Sequence, residues 1–188
     1  LITPEIQQIL PSKKESFIEC FDVEVKMKIR LARLEDVAEI LRIFDNARVF
    51  MATNGNPNQW DNNYPNKVLV ESDIKQGNCY VVEDSQGILA TFTFIIGVDE
   101  SYQVIEGSWN FEEIYGTIHR IASNGRIKGI AQYCFDYCLQ RNPYLRIDTH
   151  EKNAPMLKVI RNHGFRECGI IHVADGSPRI AFDFKKQA

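Results

Sequence analysis

Apolar residues recur along the chain with two different periods, and the changes from one to the other mark out its elements. The segment MKIRL (27–31) alternates as a half-buried strand does, with Ile29 and Leu31 on one side. It runs into Glu35 and Asp36, acidic residues suited to a helix's first turn, where the backbone dipole favours negative charge. From Val37 the apolar positions Val37, Ile40, Leu41, Phe44 and Ala47 step by threes and fours, which predicts a helix with one buried face. A short helix is expected up to Gln76, stopped at Gly77. CYVVED and ILATFTFIIG, two β-branched and aromatic runs split by Ser85, Gln86 and Gly87, predict an antiparallel hairpin. IYGTIHRIAS (114–123) reads as a strand, and NGRIKGIA (124–131) as a turn into a helix with Ile130, Tyr133, Cys134, Tyr137 and Cys138 on one face. YLRIDTH is a further strand, EKNAPMLKVIRNHGF a helix closed by Gly164, and Asp175 with Gly176 the turn of a last hairpin.

The resulting order, β-α-α-β-β-β-α-β-α-β-β, predicts an α+β fold: one mixed central β-sheet flanked by helices, without internal repeat. Residues 27–188 read as that single domain. Residues 1–26, with Pro4, Pro11 and a Lys13, Lys14, Glu15 cluster, read as an N-terminal extension.

Two stretches fit neither period. TNGNPNQWDNNYPN (53–66) is dense in Asn, Gly and Pro and must be a loop, yet it carries Trp60 and Tyr64. Residues 98–113 are polar but hold Tyr102, Trp109 and Phe111, as a loop or irregular strand over a cleft does. Loop aromatics either pin the loop to the domain or line a pocket, so Trp60, Tyr64, Tyr102 and Trp109 are candidate pocket walls.

Composition narrows the function by exclusion. Of 188 residues, 44% are hydrophobic and 25% charged, ample for one globular core. A net charge of -3 with interspersed signs provides no basic footprint for nucleic acid. No apolar run nears the roughly 20 residues that cross a bilayer, and the N-terminus lacks a secretory layout, so the expectation is a soluble, cytoplasmic protein with no membrane partner. Five cysteines, Cys20, Cys79, Cys134, Cys138 and Cys168, follow no zinc or redox spacing and read as small buried hydrophobes rather than metal ligands.

The chemistry concentrates between Ile114 and Gln140, where a strand, a turn and a helix follow one another. A turn that opens a helix directs several unpaired backbone amides at one point, which suits a phosphate. Within it, RIKGIA (126–131) has small residues at 129 and 131 that let a diphosphate approach the backbone, with Arg126 and Lys128 adding positive charge. Neither the P-loop spacing nor the dinucleotide-binding GxGxxG spacing occurs here.

At this turn the chain resembles the GNAT superfamily of N-acetyltransferases, whose acetyl-CoA loop follows Gln/Arg-x-x-Gly-x-Gly/Ala and is met by Arg126, Gly129 and Ala131. The order of elements from Met27 to Phe184 is similar to that family's as well. The resemblance implies that acetyl-CoA is the cofactor and that the backbone of Ile127, Lys128, Gly129, Ile130, Ala131 and Gln132, with Arg126, holds its diphosphate. It implies that the strand edge at Ile121 and Ala122 pairs with the pantetheine arm. Asn153 matches an Asn that opens the family's next helix and touches the cofactor; as a plain helix cap it would be equally at home.

Transfer to nitrogen needs a neutral amine, and an alkyl ammonium of pKa about 10.4 is neutral at pH 7 only about once in 2,500 molecules. A base or a water relay is therefore expected. His119 is the first candidate, since an imidazole titrates near neutrality and this one precedes Arg120 on the cofactor strand. Strand alternation could instead turn it into a packed face. Asp148 and His150 share a face by period two and are the other candidates, with Glu106, Glu112 and Glu113 before the strand. Relatives often carry a Tyr four residues before the closing Gly-Phe as the acid for the leaving thiolate; here Ile160 stands there, leaving His150, His163 or water. The expectation is an N-acetyltransferase acting on a primary amine of a small molecule, with Trp60, Tyr64, Tyr102 and Trp109 around the acceptor. A non-catalytic acyl-CoA-binding domain and a protein N-terminal or lysine acetyltransferase are the alternatives. Monomer or homodimer is left open.

Overall fold

The computed structural model describes residues 26–60 and 63–187. The N-terminal extension expected over 1–26 lies, but for its last residue, outside the described residues. The elements in chain order are β1 (Lys28–Leu31), α1 (Val37–Thr53), α2 (Lys67–Lys75), β2 (Cys79–Asp84), β3 (Gly87–Ile96), β4 (Glu106–Gly107), β5 (Gly116–Ser123), α3 (Ile130–Leu139), β6 (Tyr144–Thr149), α4 (Ala154–His163), β7 (Arg166–His172) and β8 (Pro178–Lys185). All eight strands join one sheet in the order β1-β2-β3-β5-β6-β8-β7-β4. The mixed α+β architecture is the one the hydrophobic periods predict. No helix of the described residues is long and apolar enough to cross a membrane.

The helices cover both faces. On one, Ile130, Cys134, Phe135 and Cys138 of α3 and Leu157 and Ile160 of α4 pack on Phe92, Ile118, Leu145, Ile147 and Phe182. On the other, Ile40, Ile43 and Phe44 of α1 and Val70 of α2 pack on Cys79, Val81 and Ala122. Consecutive β2 residues thus feed opposite cores, as the two-residue strand period requires. Cys134 and Cys138 share the α3 face predicted for them, fully buried, and burial pushes both thiols up from their ordinary value.

The two-residue β4 is an addition to the predicted order. Glu106 and Gly107 pair with Ile170 and Gly169 of β7. A side chain on either glycine would run into a carbonyl of the facing strand. This close approach is why both are Gly, and a contact across sixty-odd residues leaves no local period to read.

Two irregularities open the sheet at its centre. β5 and β6, the parallel pair, are in register only at Gly116↔Leu145, Thr117↔Arg146 and Ile118↔Ile147, after which pairing stops. On its other side β5 carries a bulge: Thr93 faces His119 and Thr91 faces Ala122, so Arg120 and Ile121 lie together opposite Phe92. A bulge bends its strand and sharpens the local twist, here carrying β5 away from β6. Arg120 takes the left-handed φ of 51° there. Its guanidinium is tied to Asp73 Oδ2 at 2.6 Å and to the Tyr64 hydroxyl at 3.3 Å, which holds the bulge against α2 and the loop before it.

Candidate functional site

The split between β5 and β6 opens into a cavity of about 740 Å³. One flank belongs to β5 and α3. Past Ile118 the edge of β5 has no β6 partner, and residues from His119 to Gly125 line the cavity together with Ile130 and Ala131. Gly129 stands at the N-cap of α3 with φ 81°, and no side chain caps the helix. The first amide-to-carbonyl bond there runs from Tyr133 to Gly129 at 3.1 Å, so the amides before Tyr133 are the free donors of a helix start. A Cβ built on Gly129 meets nothing within 4 Å, which leaves the approach to those amides open. An unpaired strand edge leading to an uncapped helix start fits an amide-bearing arm that ends in a diphosphate.

The sequence-predicted cofactor residues divide at this flank. Ile121, Ala122, Ile130 and Ala131 line the cavity. Ile127 packs on the core, Gln132 is half-buried, and Lys128 is exposed beside Gly129. The Arg126 side chain is turned away to the β2–β3 hairpin, donating to Asp84 Oδ2 at 3.0 Å and Gln86 Oε1 at 2.6 Å. Its contribution at the turn is thus its backbone, whose amide donates to Asn124 Oδ1 at 3.0 Å. Across the cavity Asn153 is the helix cap and also lines the cavity. Its Oδ1 caps α4 by accepting from the Met156 amide at 3.2 Å, and its Nδ2 donates to Gln59 Oε1 at 2.8 Å at the cavity wall.

His119 and Asp148 meet at the fork, one residue past the last paired position on each strand, and both line the cavity. His119 Nε2 lies 2.7 Å from Asp99 Oδ2. Asp99 also accepts from the Ser101 amide at 2.9 Å, capping the short 3-10 turn 100–102. Burial works to raise the Asp99 carboxyl, but the bond and charge of His119 and the Ser101 contacts outweigh it and hold it below its usual range. Sequence reasoning missed Asp99. An Asp before a turn signals a cap; only the fold brings it to a histidine twenty residues on.

Behind these two lies a tyrosine layer. The Tyr102 hydroxyl donates to Asp148 Oδ1 at 2.6 Å, and its ring stands edge-on to His119 with centroids 5.8 Å apart. Burial first, then the charge of Asp148, pushes its pKa up, so it is a donor at any physiological pH. Tyr102 is 1% exposed and stacks on Trp109, whose indole donates to the Tyr102 carbonyl at 3.2 Å. Neither ring lines the cavity, contrary to the expectation that both wall the acceptor; they support the fork from behind.

His150 does not join His119 and Asp148. β6 ends at Thr149, so the period of two stops one residue short of it. The His150 Nδ1 accepts from the Lys152 amide at 3.1 Å in the turn before α4, and the ring is outside the cavity lining. Burial, then the charge of Arg179, lowers its pKa. Ile160 is fully buried between α3, α4 and the sheet, while its neighbours Met156 and Val159 face the cavity.

The other flank is made of side chains. Trp60 and Tyr64 line the cavity as expected, Trp60 braced edge-on against Phe44 at 5.4 Å and Tyr64 at 6.3 Å. Phe50 and Met51 of α1, and Asp175 and Arg179 around the β7–β8 turn, complete it; nothing in their local sequence pattern marks them.

None of the protein-family models matches the chain, and none of the curated proteins does. Solved structures do. A GNAT family acetyltransferase from Streptococcus agalactiae is 31% identical and superposes with a TM-score of 0.78 over 86% of this chain and 96% of its own. A GNAT family acetyltransferase from Listeria monocytogenes is 15% identical, with a TM-score of 0.62 over 86% and 96% of the two chains. The yncA protein of Salmonella typhimurium, solved with its cofactor acetyl-CoA, is 15% identical, with a TM-score of 0.52 over 85% and 93%.

Proposed function

The chain belongs to the GNAT family of acetyltransferases, and we propose that it moves an acetyl group from acetyl-CoA to the primary amine of a small molecule. The observation that carries this reading is the fork itself: an unpaired strand edge and an uncapped helix start on one side, an aromatic-walled cavity on the other, and His119 with Asp148 between them.

In this reading the amides ahead of Tyr133 bind the diphosphate and the β5 edge at Ile121 and Ala122 pairs with the pantetheine arm, which supports acetyl-CoA as the fitting co-substrate. Acetyl-CoA supplies an acyl group activated as a thioester. The chain's task is to deliver a neutral amine to it. Asp99 accepts the N–H of His119 Nε2, which leaves Nδ1 as the basic nitrogen that takes the amine proton. Asp148, fixed by the Tyr102 hydroxyl, attracts and orients the incoming ammonium. Ile160 offers no acid, and none is required: a thiol of Cys-like pKa near 8.5 leaves as thiolate at pH 7 at a cost of about 2 kcal/mol, and water then protonates it.

The test is release of free thiol from acetyl-CoA across a panel of small amines, with mass detection of the acetylated product. Turnover of one or more amines above the hydrolysis rate is expected. The reading fails if no amine accelerates thiol release while the folded protein still binds CoA.

A further inference from the structure

Two arginines are buried without a carboxylate within ion-pair distance among the described residues, Arg146 and Arg179, each 6% exposed. A buried guanidinium is costly unless its charge is answered, and the two are answered differently. Arg146 lies between the faces of Trp109 and Tyr115, its Cζ 4.0 and 3.9 Å from their centroids, a cation–π sandwich. Arg179 has no ring. Its donors go to three neutral oxygens, Ser177 Oγ at 2.8 Å, the Pro178 carbonyl at 2.9 Å and the Gln59 carbonyl at 3.2 Å, which fix the fork in place without cancelling its charge. Asp175 is hydrogen-bonded to it only through the Ser177 hydroxyl; the Ser177 contacts first, and then the charge of Arg179, hold the Asp175 carboxyl below its usual range. Arg120, the other arginine that lines the cavity, is neutralised by Asp73.

Arg179 also borders the space left for an acceptor. It lines the cavity, and the register Asp148↔Ala181 sets it two residues along β8 from the partner of Asp148, on the same face of the sheet. The acceptor end of the cavity therefore holds an anion at the fork and, one diagonal step away, a fixed cation with no direct ion pair among the described residues. We propose that the acceptor carries a carboxylate as well as its amine, an amino acid or a close analogue, with the amine at Asp148 and His119 and the carboxylate on the Arg179 guanidinium. A planar guanidinium matches a carboxylate in charge and in hydrogen-bond geometry. This names the substrate class within the acetyl-transfer reading above and rests on it for the fate of the amine, but not for the binding of the carboxylate.

The test compares the twenty L-amino acids with their carboxamides and with the amines left by their decarboxylation, on the wild type and on Arg179→Gln and Arg179→Lys. In thiol release from acetyl-CoA, the preferred amino acid should exceed its carboxamide on the order of 100-fold in kcat/KM. Arg179→Gln should bring that ratio to near one with KM for acetyl-CoA unchanged, and Arg179→Lys should keep part of it. The same ranking is expected without chemistry: in the CoA-saturated protein the amino acid raises Tm and its carboxamide does not. Should transfer fail with every amine while that difference in Tm persists and Arg179→Gln removes it, the carboxylate site stands and acetyl transfer falls. Wild-type protein that takes carboxamides or decarboxylated amines as well as amino acids overturns the proposal, and this comparison needs no variant to fold. An Arg179→Gln protein that loses both acceptor kinds alike, with the ratio kept, also overturns it, since the arginine would then only pin the Gln59 loop.

Discussion

The two flanks of the β5–β6 fork present different parts of the chain to the cavity. On the α3 side the groups presented are main-chain ones: a strand edge that lost its neighbour and amides at a helix start, with Gly129 keeping side chains out of the way. On the acceptor side they are side chains drawn from α1, the loop before α2, the end of β6 and the β7–β8 turn. Backbone donors are the same whatever residues bear them, so one flank can serve a common co-substrate while the sequence around it varies. Side chains carry identity, so in the proposed reading the other flank selects the acceptor.

The comparison is broken first at Gly129. Gly129→Asp should lower CoA affinity by about 100-fold or more in calorimetric titration, because a carboxylate would stand beside the diphosphate. With φ at 81° every side chain is strained here, by roughly 1–2 kcal/mol, and Asn tolerates this region about as Asp does. Gly129→Asn is therefore the control matched in strain and size, and it should bind CoA far better than Gly129→Asp. Equal, tight binding by both would place the diphosphate elsewhere.

His119→Ala should come next, lowering kcat by about 10²- to 10⁴-fold with CoA affinity unchanged. Its pH profile sharpens the assignment. The Asp99 carboxyl is held below its ordinary 3.8, so the stabilisation from its charged form is complete above that value and is lost only as pH falls through the depressed folded value. A rate loss already present at pH 5 or above therefore belongs to a group other than Asp99.

Tyr64→Ala should act on one flank alone, raising the acceptor KM about tenfold and leaving that for acetyl-CoA within about twofold. Tyr64 is chosen over Trp60 because it is 37% exposed and Trp60 also braces Phe44; the 3.3 Å contact of its hydroxyl with Arg120 is lost with it, but Asp73 Oδ2 at 2.6 Å still holds that guanidinium. A parallel rise in both constants would mean that the loop supports the whole fork.

The smallest effect is expected for Arg126→Ala, although the motif singles that residue out. Its guanidinium is engaged by Asp84 and Gln86, so CoA affinity should change less than about threefold and stability by under about 1 kcal/mol. A tenfold loss of affinity would show that the side chain leaves the hairpin for the phosphates.

By itself the sequence determined the elements and their order, since helical and strand periods are local properties. Val37 to Ala47 step by threes and fours and form α1; CYVVED and ILATFTFIIG are β-branched and aromatic runs split by a turn and form β2 and β3; Gly129 and Gly164 stand at helix ends with positive φ. The turn RIKGIA marked the helix start beside the cavity for the same reason. What the tertiary structure alone decided is which side chains share a space. Asp99 reaches His119, Tyr102 turns inward to Asp148, Arg126 swings to a hairpin forty residues away, and Arg179 enters a cavity walled in part by α1. Two further decisions were made by pairing rather than by pattern: β6 stops at Thr149, which parts His150 from Asp148, and β4 exists because Gly107 and Gly169 let two backbones touch. Contacts between residues distant in sequence depend on where strands run out of partners and where chains approach, and no local period records either.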